Sequence, residues 1–330
     1  MQLTLSEREN LPRWRPGLRG FFEAYDLTWN NQEGCSGWIR HSLNAPRKGE
    51  PEASLCIFTS IPGGKKTLTR ESVPIEQTRI EREIFYFQIG DSSIFQNGTR
   101  GKISSKQERI SWEISVQPTQ PPSHPLPPIL YPLPFPKTKI TIPQPFSRMS
   151  GRIATAQETW SLQRTPGDQS HLWGTALPTP WIRGSCRGFR EDPGAWFEGV
   201  CFPTRLRGKL IPATLLSFFY RGKPYRFLAP LSWLRNKGHH EVNRWHFETR
   251  GGRIRFVGGL ETQIEEVFGI LGNDPSSGAP RFWHLTPSAG LHLEVFEKKR
   301  EWVLVDSLTA PSGASLEVLT DSPDERIRCL

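Results

Sequence analysis

The chain has 330 residues and lacks the features that announce most large classes of protein. It holds two methionines and few Ala/Leu-rich periodic runs, which speaks against a helical protein. No run of about 18 apolar residues occurs, so no membrane-spanning helix is expected. The start, Met1 to Arg8, lacks the basic-then-apolar pattern of a secretory signal, and a cytoplasmic protein is expected. The five cysteines (Cys35, Cys56, Cys186, Cys201, Cys329) are odd in number and show no C-x-x-C spacing. They suit neither a zinc site nor a disulfide framework, and reduced, mostly buried thiols are expected. There is no H-E-x-x-H, no G-x-S-x-G elbow, no P-loop and no G-x-G-x-x-G. Metal-dependent, hydrolase, nucleotide and NAD chemistry lose their usual signatures, and neither a metal nor another cofactor is expected.

The chain is rich in proline and glycine, 30 and 29 residues, and it has 12 tryptophans. Frequent Pro and Gly cut a chain into short elements, which favours strands and turns. After an irregular arm over 1–20, with Pro12 and Pro16 opposing helix, strands are expected at 21–29, 35–44, 53–60, 79–89, 91–95, 99–104 and 109–117. Residues 118–146 are Pro-rich yet apolar, unlike a flexible linker. They are expected to pack as an extended strap. Strand patterns resume at 151–163, 181–189, 195–202, 206–220, 224–230, 241–249, 253–260, 261–271, 290–297 and 301–308, with a last one at 315–319. The fold class expected is all-β: an N-terminal β-domain (1–117), a strap (118–149) and a C-terminal β-barrel (150–330), as two barrels or a barrel plus a sandwich.

The segment from His171 to Phe189 carries the most information. It sets Trp173-Gly174 before a Pro-rich corner. A run follows in which Trp181, Arg183, Ser185 and Arg187 alternate with Ile182, Gly184, Cys186 and Gly188. Period-2 alternation gives each set its own face of a strand. An aromatic followed by hydrogen-bonding groups reads as the wall of a pocket for an apolar ligand with a polar end. Trp38 and Trp245 join it as ligand-wall candidates, Trp245 because polar Asn243 sits two residues away. The remaining tryptophans, Trp233 among them, read as barrel filling.

Acid-initiated chemistry on an apolar substrate needs a carboxyl kept protonated by its surroundings. Three acids stand on otherwise apolar strand faces: Glu198 with Trp196, Val200 and Phe202; Glu23 with Phe21 and Tyr25; Glu266 with Ile264, Phe268 and Ile270. Glu198 is the first choice. The competing reading is a buried pair with an arginine such as Arg205 or Arg207. His239, His240 and His246 read as solvated loop histidines plus one pocket or core histidine rather than a zinc site. The net charge of +9 comes from scattered Lys and Arg, with short clusters at Lys65-Lys66 and Lys298-Lys299-Arg300. That scatter opposes nucleic-acid binding. It suits weak attraction to an anionic membrane surface.

The stretch from Arg19 to Tyr25 followed by Gly37-Trp38 through Pro46, the pair Trp112-Glu113, the series Trp173-Gly174, Pro178 and Trp181, and 260–271 with Glu266 and Gly269 occur in an order that resembles the lipocalin-like proteins. These include the tocopherol cyclases, the carotenoid 1,2-hydratases (hydroxyneurosporene synthases) and the lipocalin-like Diels–Alderases. The likeness spans about residues 17–320. It implies two lipocalin-like barrels with a pocket for an isoprenoid or polyketide, and cyclase or hydratase chemistry without a cofactor. One departure stands out. Where the cyclases place a second Trp and two amides, this chain has Arg183, Ser185 and Arg187, which suit a carboxylate, enolate or phosphate. Three functions follow as expectations: a cofactor-independent cyclase or hydratase, a non-catalytic lipid or pigment carrier, or a protein displaying its Pro-rich strap.

Overall fold

The computed structural model describes the whole chain except residues 1–2, 32, 61–65, 105–107, 207, 230–231 and 233–234. Trp233, Lys65 and Arg207 therefore lie outside the described residues, as do the end of the strand expected at 224–230 and the side chain of Arg205.

Among the described residues the protein is two large antiparallel sheets. The first holds β1 (Phe21–Asn30), β2 (Ser36–Ala45), β3 (Glu52–Ser60), β4 (Thr67–Pro74), β5 (Thr78–Glu81), β6 (Tyr86–Ile89), β7 (Ser92–Phe95), β8 (Gly98–Ser104), β9 (Arg109–Pro118), β10 (Thr138–Thr155) and β11 (Thr159–Gly174). Its order is β4-β3-β2-β1-β11-β10-β9-β8-β7-β6-β5. It curls until β3 and β4 lie against β6 and β8. The second holds β12 (Trp181–Cys186), β13 (Trp196–Leu206), β14 (Lys209–Tyr220), β15 (Lys223–Phe227), β16 (Lys237–Glu241), β17 (Arg244–Gly251), β18 (Ile254–Glu261), β19 (Phe268–Asn273), β20 (Pro280–Lys298) and β21 (Trp302–Thr320). Its order is β15-β14-β13-β12-β21-β20-β18-β17-β16, with β19 paired to β20. Its edges also meet, β14 and β15 against β16 and β17, giving an almost closed barrel. The all-β architecture expected from Pro, Gly and alternation is present.

Several boundaries differ from the expected ones. The arm is not wholly irregular: α1 (Leu5–Asn10) starts from a capping box between Thr4 and Glu7. Only 119–137 is strap. Residues 138–174 form the long hairpin of β10 and β11, which pairs with β9 and β1 of the first sheet. The change of sheet thus falls at 175–180, not near 150. Alternation in β10 is hidden by Pro143 and Pro145, which sit where its pairing register shifts. His239 and His240 belong to β16 rather than to a loop.

Each barrel has an apolar interior, and a third core lies between them. The third core explains why β1 is buried along both faces. Tyr25, Leu27 and Trp29 point into the first barrel, while Phe22 and Ala24 point at the second. β12 does the same from the other side: Ile182 and Cys186 fill the second barrel, and Trp181 meets the first. Each large side chain so buried contributes about 1.5–3 kcal/mol. Gly184 and Gly199 face each other across β12 and β13. A Cβ on Gly199 would stand 2.6 Å from the Trp245 ring, so the pair makes room for that indole in the second core.

Candidate functional site

Between the barrels the outer walls of β1, β2, β3 and β11 face those of β12, β19, β20 and β21, and a cleft opens between them. One side is apolar: Phe22, Ala24, Leu172, Leu177, Trp181, Trp283 and Leu319. The other, from β2 and β3, carries Arg40, Ser42, Asn44, Glu52 and Ser54 in alternate positions. Exposed Leu271 and Asn273 mark the mouth. The cavity volume is about 80 Å³. That space takes the reacting head of a small molecule, with any longer tail leaving through the mouth.

At the cleft's inner end stands Glu317, in β21. It is 7 % exposed. Its Oε2 accepts from Arg40 Nη2 at 3.1 Å, and its Oε1 has no partner. Arg40 is already committed. Its Nε and Nη2 donate to Asp26 at 2.6 and 2.8 Å, a bidentate pair. Burial raises the Glu317 pKa. The Asp26 carboxylate adds to the rise, and Arg40 and Arg183 oppose it.

Glu317 ends a buried network that ties the two barrels together. Arg183 lies directly across from it in the β12–β21 register. Arg183 donates to Glu198 at 3.1 Å and to Ser170 Oγ at 3.0 Å, and lies 3.5 Å from Asp168. Arg187 donates through Nε to Asp168 at 2.9 Å, and to Glu198. The network holds four carboxyls (Asp26, Asp168, Glu198, Glu317) and three guanidiniums (Arg40, Arg183, Arg187). One acid is left over. In a buried site the least costly arrangement keeps one carboxyl protonated, and Glu317, with its single contact to a guanidinium already taken, is the natural one.

The structure distributes the residues expected from sequence as follows. Trp181 lines the cleft, stacked on Phe202 at 5.8 Å. Arg183 and Arg187 share its side of the chain but pair with acids, and neither borders this cleft. Their place as ligand groups is taken by ion pairs. Glu198 is buried, and both its oxygens are taken by guanidiniums, from Arg183 and Arg187; the Arg205 side chain and Arg207 lie outside the described residues. Neither oxygen is free to give a proton to a ligand. Glu23 lies inside the first barrel. It accepts from the backbone of Arg13 and Trp14 at 2.7 and 2.8 Å and from Tyr25 Oη at 3.0 Å, and pairs with His171 Nε2 at 2.7 Å. It clamps the N-terminal arm. Glu266 is not on a strand face. It ends a 3₁₀ turn, Ile264–Glu266, and pairs with Lys66 at the surface. Ser185 bonds Ser315 Oγ at 2.7 Å, Trp173 packs on His171 and Tyr131, and Trp245 is sealed in the second core. Trp38 lies under Arg40, 4.8 Å from its guanidinium, beside a cavity of about 20 Å³ that it shares with Arg183 and Glu317.

Glu317 itself was missed. Leu316 and Val318 fill the second core, so Glu317 lies on the opposite face of β21, where its neighbours are Ser315 and Leu319, and the apolar-face criterion that selected Glu198 passes it over.

No family model matches the chain, and no curated protein matches it. Solved structures do. Kievitone hydratase from Nectria haematococca superposes with a TM-score of 0.57 at 9 % identity, covering 96 % of this chain and 92 % of its own. A candidate AttH protein from Nitrosomonas europaea superposes with a TM-score of 0.55 at 12 % identity, covering 93 % and 94 %. At these identities the likeness is one of fold, and it spans both barrels.

Proposed function

We propose that this protein is a cofactor-independent acid–base enzyme of the cyclase or hydratase kind, acting on an apolar small molecule such as an isoprenoid or polyketide held in the cleft between the barrels. One observation carries the reading: a buried carboxyl with one unpartnered oxygen, its pKa raised by burial, stands on the wall of a largely apolar cleft. The similarity in fold to kievitone hydratase is consistent with it.

The chemistry follows from the residues. The Glu317 O–H bond breaks as a C–H bond forms on a substrate double bond, leaving a cation on the neighbouring carbon. Trp181 and Trp283 offer π faces to that cation. A water oxygen, or an oxygen of the substrate, then bonds to the cationic carbon. The proton released from that oxygen returns to Glu317. Weak attraction of the basic chain to an anionic membrane would bring it to such substrates.

Incubation in D₂O tests this. Turnover by the native protein should place deuterium on carbon, because the Glu317 proton exchanges with solvent. Glu317→Gln should bind the same substrate and incorporate none. Undiminished incorporation in that variant would exclude Glu317 as the acid. A ligand that co-purifies and is never altered would favour a carrier.

A further inference from the structure

Sheet register sets one row of side chains on the polar wall of the cleft. Asp26 stands opposite Arg40, Arg40 opposite Cys56, and Cys56 opposite Arg70, from β1 across to β4. Residues in register on neighbouring strands share a face, and Arg40, Cys56 and Arg70 all line the cleft. The two arginines are engaged differently. Arg40 is buried and gives the Nε–Nη2 edge of its guanidinium to Asp26. Arg70 is half-buried, and its Nη1 donates to the carbonyl of Leu271, at the mouth, at 2.5 Å. That bond fixes the head of Arg70 against β19. Among the described residues its Nε and Nη2 meet no acceptor and no acid pairs with it. The Nε–Nη2 edge is a planar fork that matches the two oxygens of a carboxylate, and Arg40 holds Asp26 in that same mode. The acids on the wall do not neutralise Arg70. Glu317 is engaged by Arg40. Glu52 faces Asn44 farther along β3, about 13 Å from the Cys56 row at the rise of a strand.

Resting on the function proposed above, we infer that the ligand is an apolar monocarboxylate, whose carboxylate is gripped by Arg70 at the mouth of the cleft. Its hydrocarbon lies against Phe22, Leu172, Leu177 and Leu319. Arg40 and Arg70 stand two strand spacings apart, about 10 Å, and Glu317 touches Arg40. The grip on the carboxylate therefore holds the carbon to be protonated at that order of distance, beside Glu317. Glu52 and Glu317 line the same cleft and oppose a second negative charge, which separates a monocarboxylate from a diphosphate. A plain hydrocarbon would fill the apolar side and leave the fork of Arg70 unused.

Three probes with the same apolar body test the assignment: 6-phenylhexanoate, 6-phenylhexan-1-ol and 6-phenylhexyl phosphate, titrated at neutral pH by ligand-observed NMR on the full chain. The native protein should bind the carboxylate about tenfold more tightly than the alcohol, and the phosphate no more tightly than the carboxylate. Arg70→Gln should remove the advantage of the carboxylate and leave the alcohol unchanged, which also shows that the variant is folded. Arg70→Lys should restore only part of the advantage, because an ammonium lacks the fork. An alcohol bound as tightly as the carboxylate, or an advantage that survives Arg70→Gln, would overturn the carboxylate assignment and leave the cleft as the ligand site. A phosphate bound more tightly through Arg70 would overturn it in favour of a phosphate ester. If the native protein binds none of the three, the cleft itself is lost as the site, and the proposed function with it.

Discussion

Asp26 does not border the cleft, yet it decides how much positive charge Glu317 meets. It holds Arg40 in two short hydrogen bonds and leaves Glu317 one longer contact. Replacing it with Asn would release Arg40 towards Glu317 and draw that carboxyl towards ionisation. The expected outcome of Asp26→Asn is a weaker protonated-carboxyl signal in the infrared spectrum at neutral pH. An unchanged signal would mean that burial alone governs Glu317. The sign for stability also follows. A raised pKa means that the folded protein holds a proton the unfolded chain has lost. Glu317 therefore favours folding at low pH, and this contribution fades as pH rises through its folded value. His41 acts in the opposite sense in the acid range. Burial pulls its pKa from 6.5 to about 3, and its Nε2 meets Ser92 Oγ at 2.9 Å. The unfolded chain takes up that proton first, so stability should fall as pH drops from 6.5 to about 3, by up to about 1.4 kcal/mol per pH unit. Urea titrations of native protein and His41→Phe across that range should differ in slope. Parallel curves would assign acid unfolding to other groups.

At the scale of elements, the strap separates into anchors and a bare knuckle. Leu126 is fully buried, Tyr131 Oη donates to the Ile140 carbonyl at 2.6 Å, and Lys139 Nζ donates to the Leu130 carbonyl at 2.6 Å. Ile129, Leu133 and Phe135 stand exposed. Leu126→Ala should cost about 2–5 kcal/mol by chemical denaturation. The triple change of Ile129, Leu133 and Phe135 to Ser should cost little, and equal losses would show that the knuckle is packed. Legibility divides in a related way. Short strands bounded by turn residues were readable as β1, β2, β3 and β9, because alternation and Gly, Pro or Asn punctuation are local signals. The long hairpins β10–β11 and β20–β21 were not, since bulges and prolines break the period inside one continuous element. Thr67–Pro74 went unread because its second half is polar and exposed. For the site, alternation found the correct face of β12, with Trp181 and Arg183 side by side. It could not tell that the arginines met an acid on the other barrel, because Asp168 belongs to β11 and only the packing of the two sheets brings it to β12.

Across the whole molecule the two barrels meet through apolar side chains and the ion network. Crosswise bonds join Arg40 to Glu317, and Arg183 and Arg187 to Asp168. Removing one partner strands a buried charge. Arg40→Met should therefore destabilise the protein by about 3–5 kcal/mol. Arg40→Met combined with Asp26→Leu should recover much of that loss, because no unpaired charge remains from the bidentate pair. A double variant no more stable than the single one would place the cost in packing. The odd number of charges limits how this wall can drift over generations. Any step that adds or removes a charge at one of its seven positions shifts the balance acting on Glu317, so charge-changing steps would have to come in compensating pairs. The electrostatics of the cleft wall are thus inherited together with the joint between the barrels.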